Sequence, residues 1–293
     1  MINKEYQICS NCVMDTTAPK ITFDQNGVCE YCINFRENIV PRWHPNKKGA
    51  ELFSPILEKI KKEGKSKSHD CLIGVSGGAD SSYLVHLAKI QLGLNPLVFH
   101  VDAGWNSQIS VNNIERLIDG LGLDLYTEVI NWNEMRDLQL SFFKAQVPHL
   151  DAPQDHVFFA SLYNFAVKNK IKYILTGGNY STECVREPLD WIYHASDLRQ
   201  LKDIHKIYGV VPLSSYPTAD IFKHKIYYRY FKGLRVVKPL DYFPYNKAEA
   251  MLELKDKYGW MPYDHILLDD CETLKLLGLK KIIVKNVQDI LEM

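Results

Sequence analysis

The chain has 293 residues, 46% of them apolar, with 35 basic and 35 acidic side chains and a formal net charge of zero. That length carries one large or two modest domains with a real core. The charge balance argues against a nucleic acid as the main partner, because phosphate backbones select clustered positive charge.

Residues 1–40 show little helical periodicity and hold four of the seven cysteines. MINKEYQICSNC lacks the apolar core of a secretory leader, and no run of 18 apolar residues spans a membrane, so the expectation is a cytoplasmic protein with no membrane partner. There the thiols stay reduced and act as ligands, nucleophiles or core residues. Residues 41–69 read as a linker around Pro41, Pro45 and Gly49, followed by a helix in AELFSPILEKIKKEG that stops at Gly64. From Asp70 the pattern alternates. CLIGV reads as a buried strand, SSYLVHLAKIQLG as a helix closed by Gly93, and PLVFHVD as a second strand. ISVNNIERLIDGLG is a helix, DLYTEVI a third strand, VFFASLYNFAVKNK a helix, and KYILTGGN a strand and turn. Strands separated by helices of this length predict βαβ units: an α/β parallel sheet with helices on both faces over residues 70–260. Ligands then bind at the loops following the strands. From about residue 181 the pattern is less regular (WIYHASD, IYYRYF, PLDYFPYN), until NKAEAMLELKDKYG reads as a helix.

SGGADS, between the first strand and its helix, reads as a phosphate loop. Gly77 and Gly78 let backbone N–H groups approach an anion, and the helix directs its positive end at the same place. Ser76, Ser81 and Ser82 add hydroxyls. Asp80 has the wrong charge for a phosphate site unless Mg²⁺ bridges it to the phosphates; the plainer reading is a helix cap. Two other phosphate motifs fail. Gly64-Lys65-Ser66 lacks the earlier glycine of a Walker A loop and precedes the strand, and no Gly-x-Gly-x-x-Gly exists. VFHVDAGWN places His100, Asp102 and Trp105 after the second strand; LTGGN places Thr176, Gly177, Gly178 and Asn179 after a later one. Both positions border the same crevice. Asp102 fits a ribose or metal ligand and a helix cap equally well.

Cys9-x-x-Cys12 and Cys29-x-x-Cys32, 16 residues apart, match four-thiolate zinc spacing. All four ligand places are filled by sulfur, so the site is closed to a catalytic water and reads as structural Zn²⁺, with an iron–sulfur cluster as the lesser alternative. Cys71 reads as a core residue, and Cys271 has no partner in view.

Ser76-Gly77-Gly78-Ala79-Asp80-Ser81 resembles the signature of the PP-loop ATP pyrophosphatases, which cleave ATP to AMP and pyrophosphate while adenylylating a substrate oxygen. CSNCVMDTTAPKITFDQNGVCEYC, followed by SGGADSS, TGGN, WIYHASD, YPT and GLRVVKPLDYFPYNKAEA, closely resembles the N-acetyl sugar amidotransferases over roughly residues 6–260. The resemblance implies conversion of a sugar acetamido group to an acetamidino group in surface polysaccharide or nonulosonic acid synthesis. ATP activates the amide oxygen, and ammonia comes from a separate glutaminase and its synthase-like partner. It implies catalytic roles for Ser76 and Asp80, and an adenine-nucleotide hydrolase-like domain over 70–260. The chain departs from the family after Gly259-Trp260, where MPYDHILLDDCETLKLLG replaces the usual Tyr-Gly-Gly-Lys-His-Tyr-Glu-Ser; residues 261–293 are expected to form an atypical helical segment.

Beyond TGGN, Glu183, Arg186, Asp190, Trp191 and Tyr193 offer a sugar its hydrogen-bonding edges, an aromatic face and an anion-binding fork. A solvated loop with one buried Trp is the plainer reading. The rival function is ATP-dependent sulfur transfer to tRNA, for which Cys184 is the one cysteine near the expected pocket.

Overall fold

The computed structural model describes residues 5–18, 20–147, 149–183 and 194–262. In chain order the elements are α1 (Glu30–Asn34), α2 (Lys47–Gly64), β1 (Cys71–Val75), α3 (Ala79–His86), β2 (Pro96–Asp102), α4 (Gln108–Leu121) and β3 (Leu125–Val129). They continue with α5 (Trp132–Ala145), α6 (Ala152–Lys168), β4 (Tyr173–Leu175), α7 (Tyr180–Glu183), α8 (Leu198–Tyr208), β5 (Arg235–Val237) and α9 (Lys247–Tyr258). Three wider π-helical stretches, Phe35–Ile39, Leu87–Gln91 and Lys223–Phe231, supplement these. None of the described helices is long and apolar enough to cross a membrane.

The five strands form one all-parallel sheet in the order β3-β2-β1-β4-β5. The side-chain period of two sends Cys71, Ile73 and Val75 of β1 to one face and Leu72 to the other. The first face is covered by Phe53 and Ile60 of α2, Leu84 of α3, Leu117 of α4 and Leu254 of α9. The second is covered by Met135 and Phe142 of α5, Val157 and Ala160 of α6, and Leu201 of α8. Each such side chain taken from water contributes roughly 1.5–3 kcal/mol before chain entropy is counted. Helix ends follow their local chemistry. Asn46, Ser107 and Asn246 accept backbone N–H bonds at the starts of α2, α4 and α9, and Gly122 and Gly259 close α4 and α9 with positive φ.

Among the elements that the sequence reading does not give are α5, α8, the π-helical stretch Lys223–Phe231 and β5; α8 does carry an apolar stripe of Leu198, Leu201, Ile204 and Ile207 behind its Asp197 cap. In α5 the cause is chemical. Its inward face carries Glu134, Asp137, Gln139 and Ser141, all buried, so apolar periodicity is broken where the helix is most deeply packed. Glu134 accepts bonds from the Ser214 hydroxyl (2.8 Å) and from the Ser215 and Tyr216 amides (3.1 and 2.7 Å), while Asp137 accepts from the Val210 and Val211 amides. The helix thereby holds the irregular segment 210–216 against the second face of the sheet.

Residues 5–34 form a small unit with its own core of Cys9, Ala18, Ile21 and Cys29. Two isolated antiparallel bridges, Ile8–Asp15 and Phe23–Cys29, shape its turns.

Candidate functional site

β1 and β4 lie side by side, but the chain leaves β1 toward β2 and leaves β4 toward β5. Loops following two adjacent strands therefore part in opposite directions and open a crevice. One is Ser76-Gly77-Gly78; the other is Thr176-Gly177-Gly178-Asn179.

In the first loop Gly77 has φ +81°, and a Cβ there would sit 2.7 Å from the Ser110 carbonyl of α4, so both conformation and space demand glycine. Its carbonyl is fixed from behind by the Trp260 indole N–H (3.2 Å) and the Asn113 amide (3.4 Å). Gly78 is the N-cap of α3, with no side chain capping the helix. The helix cap is thus Gly78, not Asp80, and the amides opening α3 offer an anion site. The Ser76 and Ser81 hydroxyls lie 3.4 Å apart, with Ser81 donating to the Gly78 carbonyl. Ser82 is buried with its hydroxyl unpartnered, and it is not among the residues lining the cavity.

Asp80 joins the two loops. Its Oδ1 accepts from the Tyr245 hydroxyl at 2.5 Å and, at 3.4 Å each, from the Asn179 amide and the Thr182 hydroxyl; Lys247 Nζ lies 3.4 Å from Oδ2. Burial and the hydrogen bond to Asp80 push the Tyr245 hydroxyl far above its usual range, which keeps it a donor. A Cβ on Gly177 would lie 3.0 Å from the Asp80 carbonyl carbon and the Ser81 nitrogen, so the second loop rests its backbone on the first turn of α3. Asn179 is buried. Its amide bonds the Gly177 carbonyl (3.0 Å), and its oxygen accepts from the Thr182 amide (2.9 Å) at the start of α7. Glu183 and Lys238 both border Gly178.

A cavity of about 590 Å³ opens from these loops, within the range of small-molecule sites. Ser76, Gly78, Asp80, Ser81, His100, Thr176, Gly177, Gly178 and Glu183 all line it. His100 has both ring nitrogens engaged: Nδ1 donates to the Val75 carbonyl and Nε2 accepts from Asn106, each at 3.0 Å. It braces β2 against β1 as well as forming wall. Asp102 accepts the Gly104 amide at 2.8 Å in a turn and is not brought to the cavity. Trp105 lines it, packed edge-on against Trp132 with its indole N–H buried and unpartnered. The opposite wall is α6, with Gln154, Asp155, Phe158, Phe159 and Leu162. Burial, reinforced by Asp151, pushes the Asp155 carboxyl up.

Sequence reasoning missed Tyr245, Lys247, Lys238, Thr182 and the α6 wall. Gln154-Asp155, polar at the head of an apolar helix, was a readable sign. Nothing local pairs Lys247 with Asp80. Arg186, Asp190, Trp191, Tyr193, Cys184 and Cys271 lie outside the described residues, as does 263–293 of the expected C-terminal segment.

The second expected site assembles at the N-terminus. The sulfurs of Cys9, Cys12, Cys29 and Cys32 all lie within 4.8 Å of one another, with Cys12 and Cys29 at 3.6 Å, too far for a disulfide. The Cys9 amide closes the first turn on the Met14 carbonyl, and Cys29 caps α1. Burial pushes the Cys9 thiol up, but the Cys29 and Asn11 amides donate to its sulfur and bring it down to about 6; at Cys12 burial prevails and the thiol is pushed up to about 12. The Met14 amide and the Asn11 side chain donate to Cys12 and Cys32. Four convergent sulfurs with N–H donors around them make a metal-binding set.

No family model and no curated protein matches the chain. Among solved structures it is similar to NMN synthetase from Francisella tularensis, at 14% identity over 72% of this chain and 93% of that one, with a TM-score of 0.34. It is similar to the U34-tRNA thiolase NcsA from Methanococcus maripaludis with its 4Fe-4S cluster, at 16% identity over 99% and 89% of the two chains, TM-score 0.38. It is also similar to the NH3-dependent NAD synthetase from Campylobacter jejuni, at 16% identity over 79% and 93%, TM-score 0.35.

Proposed function

We propose that this protein is an ATP-dependent amidotransferase that converts the acetamido group of a sugar to an acetamidino group. The observation that carries the reading is the pair of glycine loops at the point where the sheet reverses its winding, joined through Asp80. The uncapped amides of α3 and the Ser76 hydroxyl suit the β- and γ-phosphates, and Lys247 and Lys238 supply counter-charge nearby. Asp80 is the residue to hold Mg²⁺, an ion that neutralises phosphate charge. The sugar's amide oxygen attacks the α-phosphorus and pyrophosphate departs. Ammonia then adds to the activated carbon, and AMP leaves with the former amide oxygen. A partner glutaminase with its synthase-like subunit is the proposed ammonia source.

The cysteine set is proposed to hold structural Zn²⁺. Zn–S bonds of about 2.3 Å give a tetrahedral edge of roughly 3.8 Å. The observed spacing supports a single ion over a four-iron cluster, whose corner sulfurs stand farther apart. For sulfur transfer, Cys71 is fully buried in β1 with its thiol pushed up by burial, so the reading turns on Cys184, which lies outside the described residues.

The test combines ATP, Mg²⁺, ammonium chloride and a panel of acetamido sugars. The expected result is AMP and pyrophosphate only when all are present, with nitrogen replacing the amide oxygen in the product by mass spectrometry. Formation of ADP, or sulfur incorporation into tRNA that is lost in Cys184→Ser, overturns the reading.

A further inference from the structure

A second cavity, of about 180 Å³, shares Phe159 in its lining with the one described above. Its polar wall consists of His156, His194, Ser196, His224 and Lys225. No carboxylate lines it among the described residues. His156 is committed to structure. Nδ1 bonds the Ala195 carbonyl at 2.5 Å and Nε2 accepts from the Ala219 amide at 3.3 Å, which ties the cavity's two rims together. His224 is different. Its ring stands edge-on to Tyr163 and Phe159, and its buried Nδ1 has no partner. Buried polar atoms are nearly always satisfied, so the unmatched Nδ1 marks His224, which lines the cavity, as the ring with hydrogen-bonding capacity to spare.

The chemistry of the wall selects the ligand. Imidazoles, an ammonium and a hydroxyl can donate, and no described lining residue offers a metal an anionic ligand. Among the described residues, groups spaced to share a metal ion occur only at the N-terminal cysteines. The volume admits a phosphate or carboxylate and is small for a nucleotide.

We propose that this second cavity is an anion subsite that receives a phosphate or carboxylate carried by the acceptor substrate, with His224 and Lys225 as its donors. Identifying the anion's bearer as the acceptor rests on the amidotransferase reading. The two cavities divide the roles: ATP and the amide to be activated in one, the acceptor's charged end in the other. Burial holds the His224 pKa below the usual histidine range, and the Lys225 and His156 charges act in the same direction. A bound anion reverses that pressure.

The experiment uses the full chain with isotope-labelled histidine, titrated with inorganic phosphate and separately with acetate. His224 resonances are expected to shift and its pKa to rise with the preferred anion, which also distinguishes phosphate from carboxylate. Lys225 is exposed, so Lys225→Met should fold and lose at least tenfold in affinity for that anion; His224→Gln should do the same, with ATP binding unchanged in both. With acceptors, Lys225→Met should raise KM at least tenfold for an anionic acetamido sugar and not for a neutral one. If neither anion moves His224, or if KM rises equally for neutral and anionic sugars, the subsite is overturned. If no acetamido sugar turns over while an anion still moves His224 in wild type and not in Lys225→Met, the amidotransferase reading fails and the anion site stands.

Discussion

Asp80 is a carboxylate set beside the glycine loop that opens α3, and its partners explain how it is held there. A tyrosine hydroxyl, an amide and a threonine hydroxyl converge on one oxygen, and an ammonium stands near the other. Asn at this position keeps an oxygen for Tyr245 but has no charge for a cation. Asp80→Asn is therefore expected to leave the melting temperature within a few degrees of wild type and to cut Mg²⁺-dependent AMP formation by about 10²-fold, the scale of losing a charge-stabilising group. Normal turnover in this variant would show that Asp80 only braces the loops. At Gly77 a methyl group meets both a left-handed φ and the Ser110 carbonyl. The first alone costs about 1–2 kcal/mol. Gly77→Ala should lower stability by at least that much in urea titrations and weaken ATP binding, whereas Gly122→Ala, where a Cβ meets nothing, should lower stability alone.

Among the elements, α5 shows where polarity hides structure from a sequence reader. Its buried Glu134 is pushed up by desolvation, yet the Ser214 hydroxyl and the Ser215 and Tyr216 amides outweigh this and hold its carboxyl below the usual range. A depressed folded pKa means that Glu134 adds stability above its unfolded pKa and loses it as pH falls through the folded value. Glu134→Gln should cost roughly 1.5–3 kcal/mol at pH 7, the worth of hydrogen bonds to a charged group. The difference from wild type should shrink between pH 5 and 3 in parallel urea titrations; a constant difference would assign the effect to packing. Strands β1 and β2 were legible residue for residue because short apolar runs meet Ser-Gly-Gly or a proline at their ends. The glycine loops were legible for the same reason. Residues 198–237 were not read: α8 carries a legible stripe of Leu198, Leu201, Ile204 and Ile207 behind the Asp197 cap that was overlooked, and the following stretch packs through tyrosines and histidines with no simple period. Tyr245 and Lys247 were out of reach for another reason: Tyr245 meets Asp80 across 165 positions, a distance no local pattern encodes.

At the scale of the whole molecule, the cysteine unit and the crevice are linked by aromatic rings. Phe35 packs against Trp43, and Trp43 edge-on against Tyr180 at the start of α7, each at 6.4 Å. The Tyr180 amide in turn donates to Asp241 at 2.7 Å. A unit of some 30 residues has too little core to fold without its metal. One zinc per chain is expected by elemental analysis. Cys9→Ser, or chelation under reducing conditions, should lower the melting temperature by several degrees while kcat of the folded fraction stays within a few-fold of wild type. Loss of kcat at unchanged stability would give the metal a chemical role instead.

The latch on Gly77 is the Trp260 indole, 183 positions further along the chain. Synthesis runs in one direction, so the glycine loop leaves the ribosome long before the groups that set it. A nascent chain that has reached β5 already has all five described strands, yet it lacks Tyr245, Lys247 and Trp260. The site is therefore set only after residue 260 is made: a polypeptide interrupted before residue 245 carries the glycine loop without Tyr245, Lys247 and Trp260, and its amides at 76–81 are expected to exchange faster than those of the longer chain.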